Sequence, residues 1–436
     1  MQTTVSFHNL AAGGEAVGRD ENNRTTFVPF AAPGDRALIN VTREEKRFAR
    51  GEIVELLESS EERVAPPCPY FGPNAIAQNQ LPCGGCDWQH INEAAQLQSK
   101  RALVVEALRR IGRNEDADAR VLPTIASPPY GYRNKAVYVG AENVLGFHAR
   151  ESHNLVDVEY CLIQRDENNA ILKAAREAIA QGLAPAGDWK LAARAASNGE
   201  SLAVVISQGL SPETWPRAEE FAAFMLDNVP SLVGILARAG EREPLQILAG
   251  RDWLEEEVDG LRFQVRGDGF FQINTPLAPT LFSTVLEMAN VQSGDGALDL
   301  FCGVGLFGLG MARAGAEVWG LERSEAAVDS ARGNATRNGL QARFLAVDVT
   351  PGMKKLPRRK WAVAVLDPPR SGAAALVPAL LRLAPRRLVY VSCDPATLAR
   401  DVAALGARYE LKAAQPLDLF SQSAHVETVV LLERRD

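Results

Sequence analysis

Apolar positions along this chain fall into three rhythms. From residue 263 onward, short apolar runs alternate with helical patterns: 297–301, 317–320, 361–366 and 388–392 read as buried parallel strands, and 325–338, stopped by Asn338-Gly339, as a helix between two of them. A last run at 425–433 reads as a closing strand. This alternation predicts a Rossmann-like α/β domain, in which ligands bind at the carboxyl ends of the strands. Residues 1–62 differ. Short runs at 4–7, 11–17, 26–30, 36–41 and 51–57 are separated by glycine and proline turns, the pattern of a small β-barrel. The stretch 63–262 is mixed. A helix is predicted at 94–112, where Leu97, Leu103, Val104, Leu108 and Ile111 recur near a helical period, with a second helix at 217–227 and strands at 190–194, 201–207 and 231–237. The expected chain is multidomain: a β-barrel over 1–62, a central α+β region over 63–262 and an α/β domain over 263–436.

A length of 436 residues agrees with two or three domains of about 150 residues each. The hydrophobic fraction of 46% and charged fraction of 23% supply ample core and no sign of disorder. The first residues lack a basic segment followed by an apolar one, and no run approaches the roughly 18 apolar residues of a membrane span. A cytoplasmic monomer without membrane contact is expected. A net charge of −7 argues against polyanion binding by the whole surface. Local basic stretches at 43–50, 100–113 and 354–360 leave room for a nucleic-acid contact, and each reads equally well as a solvated face.

Several strand ends carry candidate chemistry. Cys393 follows the run 388–392 and is itself followed by Asp394-Pro395, which places a thiol at the carboxyl edge of the sheet. Alone, such a cysteine is more readily a small buried hydrophobe. The run 297–301 enters a turn with Gly303, Gly305 and Gly308, and Glu322 stands nineteen residues beyond Gly303 at the end of the next strand, where a carboxylate can accept ribose hydroxyls. That spacing also fits a dehydrogenase. Asp367-Pro-Pro-Arg370 sets an acid in a stiff turn at a further strand end, with arginine where enzymes that methylate exocyclic amines of nucleic acids carry an aromatic residue. Glu427, near the start of the last strand, is by itself a strand-edge charge.

Six cysteines are present. Setting aside Cys393 and Cys302, which lies in the glycine-rich turn, leaves Cys68, Cys83, Cys86 and Cys161, the number that a tetrahedral metal site or an iron–sulfur cluster requires. The spacing alone does not choose between zinc and redox chemistry.

The wording of these segments adds a resemblance. GGEAVGRD, TFVPFAAPGD and ARGEIVELLESSEERVAPPC resemble the TRAM domain, an OB-like RNA-binding barrel. CPYFG at 68–72, CGGC at 83–86, YGYRNKAVYV at 130–139, SHNLVDVEYCLIQ at 152–164, FFQIN at 270–274, DPPR at 367–370 and SCDP at 392–395 resemble the TRAM-containing RNA uridine C5-methyltransferases, in that family's order. One departure is the interval of fourteen residues between Cys68 and Cys83, lengthened by PNAIAQNQLP. A longer excursion between two ligands adds little loop-closure entropy, so Cys68 stays in the expected set.

The resemblance implies a class I, S-adenosylmethionine-dependent methyltransferase domain over 263–436. It implies Cys393 as nucleophile and Glu427 as general base. It also implies Gln272, Phe301, Glu322, Asp348 and Asp367 as cofactor contacts, and a [4Fe-4S] cluster on Cys68, Cys83, Cys86 and Cys161 in the central region. The implied substrate is RNA, with 23S ribosomal RNA first and transfer RNA as the alternative. Competing classes are a non-catalytic RNA-binding protein, which intact Cys393 and Glu427 oppose, and a radical enzyme, whose compact C-x3-C-x2-C motif is missing from the sequence.

Overall fold

The structure, a computed structural model, describes residues 1–208, 210, 214–240 and 243–436. Strands Gln2–Leu10, Ala16–Asp20, Thr25–Val28, Arg36–Glu44 and Phe48–Glu58 close into a barrel, with the third and fifth strands paired in parallel. Val5, Phe7, Val28, Ala37 and Ile39 fill its interior because alternate residues of a strand face one side. The second strand begins later than its apolar pattern predicts. Residues 11–15 form a turn instead, in which Gly14 takes a φ of 87°. A side chain there would come within 2.7 Å of Asp87, so only glycine lets the barrel dock on the segment that carries Cys83 and Cys86.

The central region is built on a seven-stranded sheet ordered Gln246–Gly250, Leu232–Arg238, Ser201–Ser207, Trp189–Ala195, Lys135–Ala141, Val144–His148 and Leu155–Asp157. Helices Asp166–Ala180 and Ala218–Asn228 cover one face through Ile171, Leu172, Phe221 and Met225.

A second seven-stranded sheet runs Ala342–Ala346, Glu317–Glu322, Gly296–Leu300, Val363–Leu366, Arg387–Ser392, Glu427–Arg434 and Tyr409–Leu417. The first five strands are parallel and the last two antiparallel to their neighbours. Both faces are buried, which explains the continuous apolar runs. Ala297, Val363, Val365 and Val389 pack toward Leu281, Phe282 and Val285 of helix Ala278–Ala289. Their neighbours Leu298, Ala364, Leu366 and Leu388 join Leu398 and Val402 of helix Pro395–Leu405 on the other face. Helix Glu93–Arg110, capped by Asn92 accepting the amide of Ala95, lies against that second face through Val104 and Leu108. Its Lys100 is fully buried and pairs with Asp418, in the loop that leads into the last strand. Among the described residues no helix is long and apolar enough to cross a membrane.

Candidate active site

The strand order reverses between Gly296–Leu300 and Val363–Leu366, and the strand ends around that point form one cavity of about 990 Å3. Gln272, Phe301, Glu322, Asp348, Asp367, Cys393 and Glu427 all line it.

Strand Gly296–Leu300 turns at Phe301, a non-glycine residue with φ of 65°, and passes Gly303 and Gly305 into helix Leu306–Arg313. A Cβ on Gly303 would meet nothing within 4 Å, so its open side faces the cavity. Gly308 is different. A Cβ there would approach Asp299 Oδ2 to 2.7 Å, and the Gly308 amide donates to that same oxygen at 2.7 Å. The third glycine of the turn therefore serves helix–strand packing. Burial pushes the Asp299 carboxyl up to about 7. The sequence reading passed Asp299 by, because one acid inside an apolar strand carries no spacing signal.

The remaining groups stand on neighbouring strand ends. Glu322 closes its strand, accepts the amide of Ser324 at 2.8 Å and lines the cavity. Asp348 caps the turn Val349–Gly352 by accepting the amide of Thr350 at 3.1 Å. Gln272 donates through Nε2 to Asp367 Oδ2 at 3.4 Å. Its backbone is fixed from the central sheet, where Asn134 Nδ2 donates to the Gln272 carbonyl at 2.9 Å. Asn274, fully buried, donates to Ser127 Oγ at 2.8 Å and to the Leu419 carbonyl at 3.1 Å.

Cys393 sits one residue before Asp394, which caps helix Pro395–Leu405 by accepting the amide of Thr397 at 2.7 Å. The positive end of that helix favours a thiolate. Against it, burial first and then the Glu427 charge push the thiol up to about 11, while Arg370 draws it down. Glu427 is 6% exposed, and burial with the nearby Asp367 charge raises its carboxyl well above the usual range. Burial likewise pushes Asp367 up to about 7. Two carboxyls that hold protons unusually tightly thus share the cavity with a thiol that does the same.

Cys68, Cys83, Cys86 and Cys161 line a second cavity of about 440 Å3, and none is in a disulfide. Burial and the mutual proximity of the sulfurs push Cys83 up to about 11 and Cys161 up to about 12, and raise Cys86 strongly. Gln89, 3% exposed, hydrogen-bonds with Cys68 and Cys86, a link the sequence reading missed. As the side chains stand, no group of three or more His, Cys, Asp or Glu among the described residues forms a metal-ion site. The four thiols, each half-buried, stand around one space, and their ionisation there would need a compensating cation.

A family model described as tRNA (Uracil-5-)-methyltransferase matches residues 210–435, and a TRAM domain model matches residues 3–54. The chain is 37% identical to a protein named as an uncharacterized RNA methyltransferase of Thermosynechococcus vestitus, over 97% of this chain and 96% of that one. It is 36% identical to a similarly named protein of Gloeobacter violaceus, over 99% of this chain and 96% of that one. In fold it resembles the Pyrococcus abyssi tRNA (uracil-54, C5)-methyltransferase in complex with S-adenosyl-L-homocysteine, with a TM-score of 0.76 at 24% identity, covering 98% of this chain and 99% of that one. The barrel at one end, the strand-end cavity at the other and relatives that match along the whole length agree: the chain belongs to the tRNA (uracil-5-)-methyltransferase family, as an S-adenosylmethionine-dependent RNA (uracil-C5)-methyltransferase with a TRAM domain.

Proposed function

We propose that this enzyme methylates C5 of a uridine in 23S ribosomal RNA through a transient bond between Cys393 and uracil C6, with Glu427 as the base. The observation that carries the reading is the meeting of Cys393, Glu427 and Asp367 in the cavity that also holds Gln272, Phe301, Glu322 and Asp348.

Uracil C5 is a weak nucleophile. Addition of the Cys393 thiolate to C6 turns the ring into an enolate with electron density at C5. S-adenosylmethionine, when bound, supplies the methyl group that this carbon takes. Glu427 then removes the C5 proton, the electron pair re-forms the C5–C6 double bond, and the Cys393 sulfur leaves C6 as thiolate. A carboxyl whose proton affinity is raised by burial is a stronger base for that step than an exposed one. Gln272, Phe301, Glu322 and Asp367 would position the cofactor, Glu322 through the ribose hydroxyls, with Asp348 near the adenine and Asp367 also facing the uracil. The target base must leave its stack to reach the thiol. The TRAM barrel and the local basic stretches would grip the flanking strand.

Cys68, Cys83, Cys86 and Cys161 would hold a [4Fe-4S] cluster with a structural or RNA-positioning role. Zinc needs all its sulfurs at about 2.3 Å from one point. In a cluster each cysteine binds a separate iron, which suits thiols spread around a cavity.

Ribosomal RNA is favoured by the resemblance to TRAM-containing, four-cysteine enzymes. A second reading, transfer RNA, draws support from the fold shared with the Pyrococcus enzyme, whose barrel-to-catalytic architecture covers nearly all of this chain. Mass spectrometry of ribosomal and transfer RNA from a deletion strain separates them. Loss of one or more 5-methyluridines from 23S RNA is expected, and loss confined to transfer RNA would move the assignment to the second reading.

A further inference from the structure

Two cavities meet at one guanidinium. Arg370, Ile273 and Phe420 line both the strand-end cavity and the cysteine cavity. On the first side, Arg370 and Cys393 line the same cavity, and the guanidinium charge acts on the sulfur. On the other, its Nη2 lies 3.5 Å from Nε2 of His425. The turn that carries it is pinned to the catalytic helix, since Thr397 Oγ1 donates to the Arg370 carbonyl at 3.1 Å.

The charges around these groups divide clearly. Of those acting on Cys393, Glu427 and Asp367 oppose the thiolate and Arg370 favours it. Arg370 also acts on Glu427, against the effect of Asp367. His425 is faced by Arg370, Asp87, Lys100 and Arg133. Burial and the Arg370 charge lower its proton affinity, so the ring is neutral near pH 7 and can accept from the guanidinium. The ring itself packs edge-on against Phe420, with centroids 5.7 Å apart.

We propose that Arg370 is a third catalytic group, the counter-charge of the Cys393 sulfur, and that His425 is its positioning residue, holding the guanidinium over the boundary between the cavities. This rests on Cys393 being the nucleophile. The guanidinium stabilises the sulfur before addition to C6 and again on departure, the two points at which the negative charge sits on it. Lysine cannot substitute fully, because a single ammonium lacks the planar fork that reaches sulfur and imidazole together.

The test is the pH dependence of Cys393 alkylation by iodoacetamide in the full-length, RNA-free enzyme, read at that residue by peptide mass spectrometry. Arg370→Met is expected to move the alkylation midpoint up by about one pH unit and to slow alkylation at pH 8 about tenfold. Methylation kcat should fall, with S-adenosylmethionine binding retained. Arg370→Lys should fall between, His425→Ala should give a smaller shift, and His425→Gln should restore most of it. Should Arg370→Met not fold, Arg370→Lys and His425→Ala carry the same comparison. An unchanged Cys393 profile in variants that bind the cofactor normally would overturn the proposal, and so would a rise in KM for RNA alone. Methylation by a Cys393→Ala enzyme is a separate outcome, which would remove the nucleophile assignment itself.

Discussion

Asp87 Oδ2 accepts the backbone amide of Ala424 at 3.1 Å, tying the residue after Cys86 to the loop that leads into Glu427. Asp87 Oδ1 accepts Nη1 of Arg150 at 3.0 Å, and the Asp87 amide donates to the Gln422 carbonyl at 2.8 Å. The cysteine segment and the loop that leads into Glu427 are thus two ends of one hydrogen-bonded clamp. Asp87→Ala leaves the Ala424 amide without its acceptor, at a cost of about 1 kcal/mol. Faster amide exchange across 418–426 and a roughly fivefold fall in kcat are expected, with cofactor binding intact. Wild-type exchange in that loop would show that the clamp is dispensable.

Glu427→Gln keeps the shape of the site and removes the proposed base. Methyl transfer can then proceed while the C5 proton stays, so an RNA–protein adduct should accumulate on denaturing gels only when cofactor is supplied. Turnover should drop on the order of a hundredfold or more. Loss of activity with no adduct would reassign Glu427 to binding.

Asp367 also makes a prediction about stability. Its carboxyl has a folded value of about 7, against roughly 3.9 in an unfolded chain. The folded state therefore keeps a proton that the unfolded state releases between those limits. Its contribution is full below about pH 4 and is lost as pH rises through about 7. Asp367→Asn preserves the neutral form at every pH. The variant should match wild-type stability at pH 4 and exceed it at pH 8, by up to about 4 kcal/mol, while losing activity. Equal melting at pH 8 would reject the raised value.

Anaerobically purified protein should be brown and carry about four irons per chain. Cys83→Ser and Cys161→Ser should lose the colour. Full iron retention in Cys68→Ser would remove that ligand alone, and colourless protein with stoichiometric zinc would exclude the cluster.

Strand ends were legible in the sequence because each is marked by a residue that stops a strand: Gly303, Pro368, Pro395. Residues 388–392 were expected as a strand and Arg387–Ser392 is one; helix Glu93–Arg110 likewise falls within two residues of its expected ends. What that helix packs against was not legible, since its apolar face says only that something covers it. The hairpin Trp253–Val258 with Leu261–Arg266 and the helix Ala278–Ala289 were not anticipated. The second barrel strand was placed too early because Gly14 answers to Asp87, far along the chain. Asn134, Asn274, Gln89 and Asp87 escaped for the same reason. A buried polar residue is defined by its partner, and Asn134 finds its acceptor 138 residues away. Periodicity reports only on near neighbours.

The bond from Gln96 to the side chain of Gln422 spans 326 residues, and Lys100 is buried against Asp418 across 318. Residues 87–100 leave the ribosome long before their partners exist. Until those partners arrive, Lys100 has no carboxylate and the inner face of its helix has no cover, so this segment must wait in a solvated state. The loop that closes over it is the same one that delivers His425 and Glu427. A nascent chain halted before residue 418 therefore lacks both the cover for this helix and the Glu427 wall of the strand-end cavity.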